Sequence, residues 1–184
     1  MSSIKLSPNA SGTGEFTIAA PNSNTNRTLN LPDASGTILT TATPGVPVNG
    51  PTFSAIAGSA TSFGAGANTK VNFTTEQWDT ANCYDTGTSR FTPNVAGYYQ
   101  ISSTVRADIA GNAVLHIYIR KNGVDTIVGD FLAVSSSQAA TTCSGLVFCN
   151  GTTDYIEVSV FSGAAGSTAA TFQTSFQGVL VRTA

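Results

Sequence analysis

Apolar residues recur along this chain with the period of a strand, and no long run carries the period of a helix. Tyr99, Ile101, Ser103 and Val105 alternate with Tyr98, Gln100, Ser102 and Arg106, an arrangement that turns one side of an extended segment to a core and leaves the other outside it. Residues 112–120 repeat the pattern. There Ala113, Leu115, Ile117 and Ile119 alternate with Val114, His116, Tyr118 and Arg120, and the run ends in Lys121-Asn122-Gly123, a hairpin-type turn. Further runs at 53–57, 70–74, 124–134, 141–148, 155–161 and 170–181 bring the expectation to about eight strands. Many short strands separated by turn residues predict an all-β fold, a two-sheet sandwich or jelly roll.

The same parity sorts the aromatic residues. Phe53, Phe91, Tyr99, Phe148, Phe172 and Phe176 are expected between the sheets, each contributing about 1.5 to 3 kcal/mol by burial. Tyr98, Tyr118, Tyr155, Phe161, Val179 and Val181 fall on the opposite faces of their strands. A monomer would leave them as an apolar surface, so they are the candidate interface between copies of the chain. Pro93 and Gly97 frame the turn that enters the strand of Tyr99, and Gly97 is expected to need either a positive φ or close packing under the Tyr99 ring.

Composition divides the chain in three. Residues 1–40 hold short alternating pieces, with Phe16 and Ile18 in one and Leu29 and Leu31 in another, broken by Pro21, Pro32 and Ser35-Gly36. Neither piece is long enough to bury its own apolar stripe, so this N-terminal arm is expected to be an anchoring element that orders against other chains. Residues 41–51 carry Pro44, Pro47 and Pro51 and read as an extended connector. Residues 52–184 are the domain that should fold alone.

Charge narrows the range of partners. Charged residues make up 10% of the chain, with 8 basic and 10 acidic, and no Lys/Arg cluster offers a field for a phosphate backbone. Nucleic acid is therefore not an expected partner. The N-terminus has no apolar run of the signal-peptide kind, so synthesis in the cytosol is expected. The sequons at Asn9, Asn26, Asn72 and Asn150 read as chance products of an Asn/Thr-rich chain. Three cysteines do not make a disulfide framework. Cys143 and Cys149 should face one side of a strand about 20 Å apart, too far to bond to each other. Cys83 could approach either, and burial as small apolar residues is the favoured reading.

Chemistry is sparse. His116 is the single histidine, in mid-strand opposite Leu115 and Ile117, and is expected to be a hydrogen-bonded surface or interface residue. No nucleophile elbow, zinc-protease motif or phosphate loop is present. A carboxylate pair drawn from Asp79, Asp85, Asp125, Asp130 and Asp154 would make a glycosidase site only if folding brought two of them together. Asp79 and Asp85 flank a loop where calcium is conceivable, although solvated turn residues are the favoured reading. Trp78 would either plug the sandwich edge, the favoured reading, or help to bind a sugar. The expectation is a protein without catalytic residue, metal or cofactor.

Several landmarks occur in the order found in the globular head of complement one-q: Phe53-Ser54-Ala55, Tyr84-Asp85-Thr86-Gly87, Arg90-Phe91-Thr92-Pro93, Gly97-Tyr98-Tyr99, Lys121-Asn122-Gly123, Asp154-Tyr155-Ile156-Glu157-Val158 and Phe176-Gln177-Gly178-Val179-Leu180. From Thr52 onward the chain resembles that family, whose tumour-necrosis-factor-like jelly roll assembles as a trimer. The resemblance implies a homotrimer that binds rather than catalyses. The chain has no collagen-like stalk, so collagen-based roles do not carry over. The arm, with Gly14-Glu15-Phe16-Thr17-Ile18-Ala19-Ala20-Pro21-Asn22 and Leu31-Pro32-Asp33-Ala34-Ser35-Gly36-Thr37, resembles a segment common in bacteriophage tail-fibre and appendage proteins. That resemblance implies a structural protein at the virion surface, a trimeric fibre or spike. Its arm would bind other virion proteins of tail or capsid, and its knob would attach to a host-surface glycan or outer-membrane component. The alternatives are a head fibre or capsid decoration protein that stabilises the shell and, in another class, an appendage enzyme that degrades polysaccharide.

Overall fold

Strand after strand forms where the alternation runs, and the described residues contain no helix. The computed structural model describes residues 50–184 except 130–131 and 135–137, with backbone alone for 132–134, and a few positions of the N-terminal part: 11–13, 17, 22–26 and 28. Phe16, Ile18, Leu29 and Leu31 lie outside the described residues, as does most of the 41–51 connector.

The strands are β1 (Thr52–Ile56), β2 (Ser62–Phe63), β3 (Thr69–Lys70), β4 (Thr75–Asp79), β5 (Tyr84–Asp85), β6 (Arg90–Phe91), β7 (Ala96–Ile109), β8 (Ala113–Lys121), β9 (Val124–Val128), β10 (Leu132–Val134), β11 (Gln138–Asn150), β12 (Ile156–Ser162), β13 (Gly166–Thr168) and β14 (Ser175–Thr183). They exceed the expected number because short pieces flank the long ones. The run at 124–134 divides into β9 and β10, and 170–181 begins as a turn and becomes β14 only at Ser175. Strand β4 is not among the runs that alternation marks, because its residues, Thr75-Glu76-Gln77-Trp78-Asp79, carry no apolar period.

Two sheets of seven strands each face one another. In the first, β11 pairs with one side of β7 while β14, β1 and then β4 continue from the other. The second is built on β8 and β12, with β9, β10, β3, β6 and β5 around them. All pairings are antiparallel, as expected for a sandwich closed by hairpins and longer crossovers.

Strand β7 follows its alternation for its full length, burying Tyr99, Ile101, Val105 and Ala107 completely. Strand β8 does the same with Leu115, Ile117 and Ile119. The turn after β8 holds Asn122 at φ 53° and Gly123 at φ 79°, the left-handed pair that a two-residue hairpin needs. Between the sheets the ring of Phe53 stacks on Tyr84 at 4.9 Å and on Phe91 at 4.4 Å, and meets Phe176 edge-on at 4.8 Å. Tyr99 joins the cluster edge-on to Phe91 and donates its phenol hydrogen to Val95 O at 2.7 Å.

Two residues expected in this core lie outside it. Phe148 is 42% exposed, because on β11 the inward positions belong to Cys143, Val147 and Cys149 and an even-numbered neighbour must point away. Phe172 is 76% exposed, since it sits in the turn before β14 rather than in a strand. Gly97 also differs from expectation. It has no positive φ, and a Cβ there would strike the backbone carbonyl of Arg182 and the Leu180 side chain, not the Tyr99 ring.

Candidate functional site

Four of the five candidate carboxylates, Asp79, Asp85, Asp125 and Asp154, are occupied by the fold, and Asp130 lies outside the described residues. Asp79 accepts hydrogen bonds from the Ala81 and Tyr84 amides at 3.0 and 2.6 Å. Asp85 accepts from the Gly87 amide and the Thr88 hydroxyl, both at 2.8 Å, and those bonds, the Thr88 hydroxyl first, lower its pKa. Both act as turn residues. Asp154 is buried and receives Lys121 Nζ at 2.8 Å, Asn122 Nδ2 at 2.7 Å and the Asn150 amide at 2.9 Å. Asp125 pairs with Arg120 Nε at 2.8 Å. Among the described residues no group of three or more His, Cys, Asp or Glu side chains is placed to hold a metal ion.

The cysteines are buried and unbonded to one another. Cys143 and Cys149 share the inward side of β11. Burial pushes the Cys149 thiol up to about 11, which suppresses the reactive thiolate. Asn150 is held by its loop, its Oδ1 accepting from the amides of Thr152, Thr153 and Asp154, each at 3.0 Å.

The candidate interface residues divide between two outer faces. Tyr118 and Phe161, on β8 and β12, stand on the second sheet, with Tyr155 just before β12. There the rings are already half-buried. Tyr118 stacks on His116 with centroids 6.1 Å apart, Phe161 meets His116 edge-on at 5.8 Å, and the Arg90 guanidinium lies 4.0 Å from the Tyr155 ring centroid. Arg90 also binds Glu157 at 3.0 Å, and Arg120 bonds the carbonyl of Gly123. This face is largely covered by its own side chains.

The first sheet is different. Tyr98, Val179 and Val181 stand on its outer face at 47%, 46% and 59% exposure, joined by Leu146 at 59% and Phe148 at 42%. Phe148 is opposite Tyr98 in the β11–β7 register, with ring centroids 5.4 Å apart, and Leu146 is opposite Gln100. Tyr98, Leu146 and Val181 line a shallow hollow of about 580 Å³ with Arg182 and the C-terminal residues. Leu146 and Phe148 add to the interface residues expected from the sequence, and the inward side of β11 taken by Cys143 and Cys149 implies that they point out.

Away from this apolar end the same face becomes polar. Ser144, Ser102, Gln177, Ser54 and Trp78 are successive register partners across β11, β7, β14, β1 and β4. In the next row Thr142 and Thr104 share a hydroxyl hydrogen bond at 2.9 Å. Trp78 is 50% exposed on this face and does not plug the sandwich edge. A register shift between β1 and β4 at Ser54/Ala55 inserts Gln77, whose Oε1 accepts from Ser54 Oγ at 2.7 Å, and such bulges re-aim the neighbouring side chains.

The fold has counterparts among solved structures. The globular domain of zebrafish complement 1qA is 14% identical with a TM-score of 0.55, the match covering 73% of this chain and 99% of that one. Murine APRIL at pH 5.0 is 12% identical with a TM-score of 0.57, covering 72% and 99%. Eiger TNF from S. frugiperda is 8% identical with a TM-score of 0.56, covering 73% and 92%. The chain therefore has a jelly roll of the complement one-q and tumour-necrosis-factor type. No family model matches the sequence, and a search of curated proteins finds no match.

Proposed function

We propose that this chain is a structural protein of a bacteriophage particle, a homotrimeric fibre or spike held by residues 1–40 and displaying residues 52–184 for attachment to the host surface. The observation that carries the assembly is the uncovered apolar end of the first sheet. Tyr98, Leu146, Phe148, Val179 and Val181 lie on one face at 42% exposure or more, and an exposed apolar patch marks an interaction surface. A trimer covers it on each copy through one repeated contact. The arm supports the particle, since its alternating pieces are too short to stand alone and resemble segments of phage appendages.

Light scattering of the purified chain tests the assembly: a mass of three copies is expected, and a stable monomer overturns it. Labelling of particles with an antibody to the 52–184 domain tests the location. Label on the tail supports the fibre or spike, label on the capsid selects a head fibre or decoration protein, and unlabelled particles remove the virion reading.

A further inference from the structure

We propose that Asn122-Gly123 is a modification site held shut by Asp154, an asparagine that deamidates spontaneously once that carboxylate lets go. The inference is independent of the attachment reading. Three Asn-Gly pairs occur in the chain: Asn49-Gly50, Asn122-Gly123 and Asn150-Gly151. Glycine has no Cβ to shield its amide nitrogen, so that nitrogen attacks the preceding carboxamide more readily than in other Asn-X pairs.

The reaction needs only water. Gly123 N gives up its proton to solvent and bonds to Asn122 Cγ, while the side-chain nitrogen leaves as ammonia. Water then opens the five-membered imide. Cleavage of the new N–Cγ bond gives aspartate, and cleavage of the backbone bond from Asn122 C to Gly123 N gives isoaspartate. The attack requires Gly123 N to come within about 3 to 3.5 Å of Cγ, from one side of the carboxamide plane.

Folding commits that carboxamide elsewhere. Asn122 donates Nδ2 to Asp154 Oδ1 at 2.7 Å and accepts from the Tyr155 amide on Oδ1 at 2.9 Å. Its backbone amide donates to Tyr155 O at 3.0 Å. Both polar atoms of the side chain are thus fastened to the segment that enters β12. Asp154 is itself buried and fixed by Lys121 Nζ at 2.8 Å and the Asn150 amide at 2.9 Å. Asn150-Gly151 is held differently. Asn150 Oδ1 accepts from the amides of Thr152, Thr153 and Asp154, and Nδ2 donates to Thr153 Oγ1 at 2.8 Å, all within its own loop. Of these two carboxamides, only that of Asn122 depends on a carboxylate from elsewhere in the chain.

The product cannot restore the clamp. Aspartate at this position has no hydrogen to donate and sets a second negative charge against Asp154. Isoaspartate adds a backbone carbon to the two-residue turn, at φ 53° and 79°, that joins β8 to β9, and such a turn fixes the register of its hairpin. A passing local opening is thereby converted into a permanent change of the β8–β9 hairpin.

The full chain, Asp154→Ala and Asp154→Asn are incubated at mildly alkaline pH. Peptides carrying each Asn-Gly pair are followed by mass spectrometry and by isoaspartate methyltransferase labelling. In Asp154→Ala the conversion of Asn122 should run about 10- to 100-fold faster than in the wild type, the factor carried by a hydrogen bond to a charged group. Asp154→Asn, which keeps an acceptor, should lie between. Asn49 is the internal reference, with one rate in all three proteins, and Asn150 should change far less than Asn122. Circular dichroism verifies that each variant remains folded, and a urea-unfolded sample gives the unprotected rate. A wild-type rate at Asn122 equal to the unfolded one overturns the clamp, as does an unchanged rate in folded Asp154→Ala. Equal acceleration at Asn122 and Asn150 reports general loosening and also overturns it. If Asp154→Ala does not fold, Asp154→Asn decides: acceleration confined to Asn122 supports the clamp, and an unchanged rate overturns it.

Discussion

Gly97 lies against the backbone carbonyl of Arg182, so close that a Cβ at Gly97 would occupy the same space. The contact joins the start of β7 to the end of β14 just past the register shift at Leu180/Arg182. Backbone cannot move aside as a flexible side chain can. Gly97→Val is therefore expected to destabilise the domain by about 1 to 3 kcal/mol or to prevent folding. Urea titration checks it, and an unchanged midpoint would show that this junction yields.

Leu146 is 59% exposed, so Leu146→Asp should cost the isolated domain less than about 0.5 kcal/mol. In a trimer closed by this face the same change buries a charge. Light scattering should then report monomers with unaltered β-sheet circular dichroism. Trimers that survive Leu146→Asp and Phe148→Asp together would place the contact elsewhere.

Glu157 is 4% exposed and bonds Arg90 at 3.0 Å, with Arg120 at 3.9 Å on its other oxygen. Glu157→Ala leaves Arg90 without its carboxylate, while Arg120 keeps Asp125 at 2.8 Å. Both remain partly solvated, which reduces the usual cost of breaking a buried pair, so a loss of about 2 to 3 kcal/mol is expected. A double-mutant cycle with Arg90→Ala isolates the shared part.

Lys121 beside Asp154, with amide hydrogen bonds from Asn122 and Asn150, lowers the Asp154 pKa despite opposing burial. Its folded value therefore lies below its unfolded one. The stabilisation is fully present above the ordinary carboxylate value of about 4 and disappears as pH falls through the lower folded value. Asp154→Asn should flatten the acid end of the stability profile and reduce stability at neutral pH. An identical slope in wild type and variant would contradict this linkage.

If residues 1–40 anchor the protein, their deletion should leave a folded, soluble trimer of residues 41–184 that fails to join particles. Phe16→Asp or Leu29→Asp should impair incorporation without shifting the melting of the domain. Particles carrying the armless chain at normal copy number would move the anchor to the domain itself.

The sequence by itself determined the sandwich and the inward sets of β7 and β8, because strand parity is a local property. Once Tyr99 and Leu115 are inward, Ile101, Val105, Ile117 and Ile119 must follow. Parity also places Tyr98 and Tyr118 outside, but it cannot say what covers them. Tertiary structure decided that, packing Tyr118 on His116 and Tyr155 under Arg90 while leaving Tyr98 beside Phe148 in the open. Cover depends on residues far apart in the chain, so no local pattern records it. The same holds for Trp78: β4 has no alternation of its own and becomes a strand only by pairing with β1. Its exposure at the head of a polar row comes from a register shift and from partners on β1, β14 and β7, brought together only by the closed sheet.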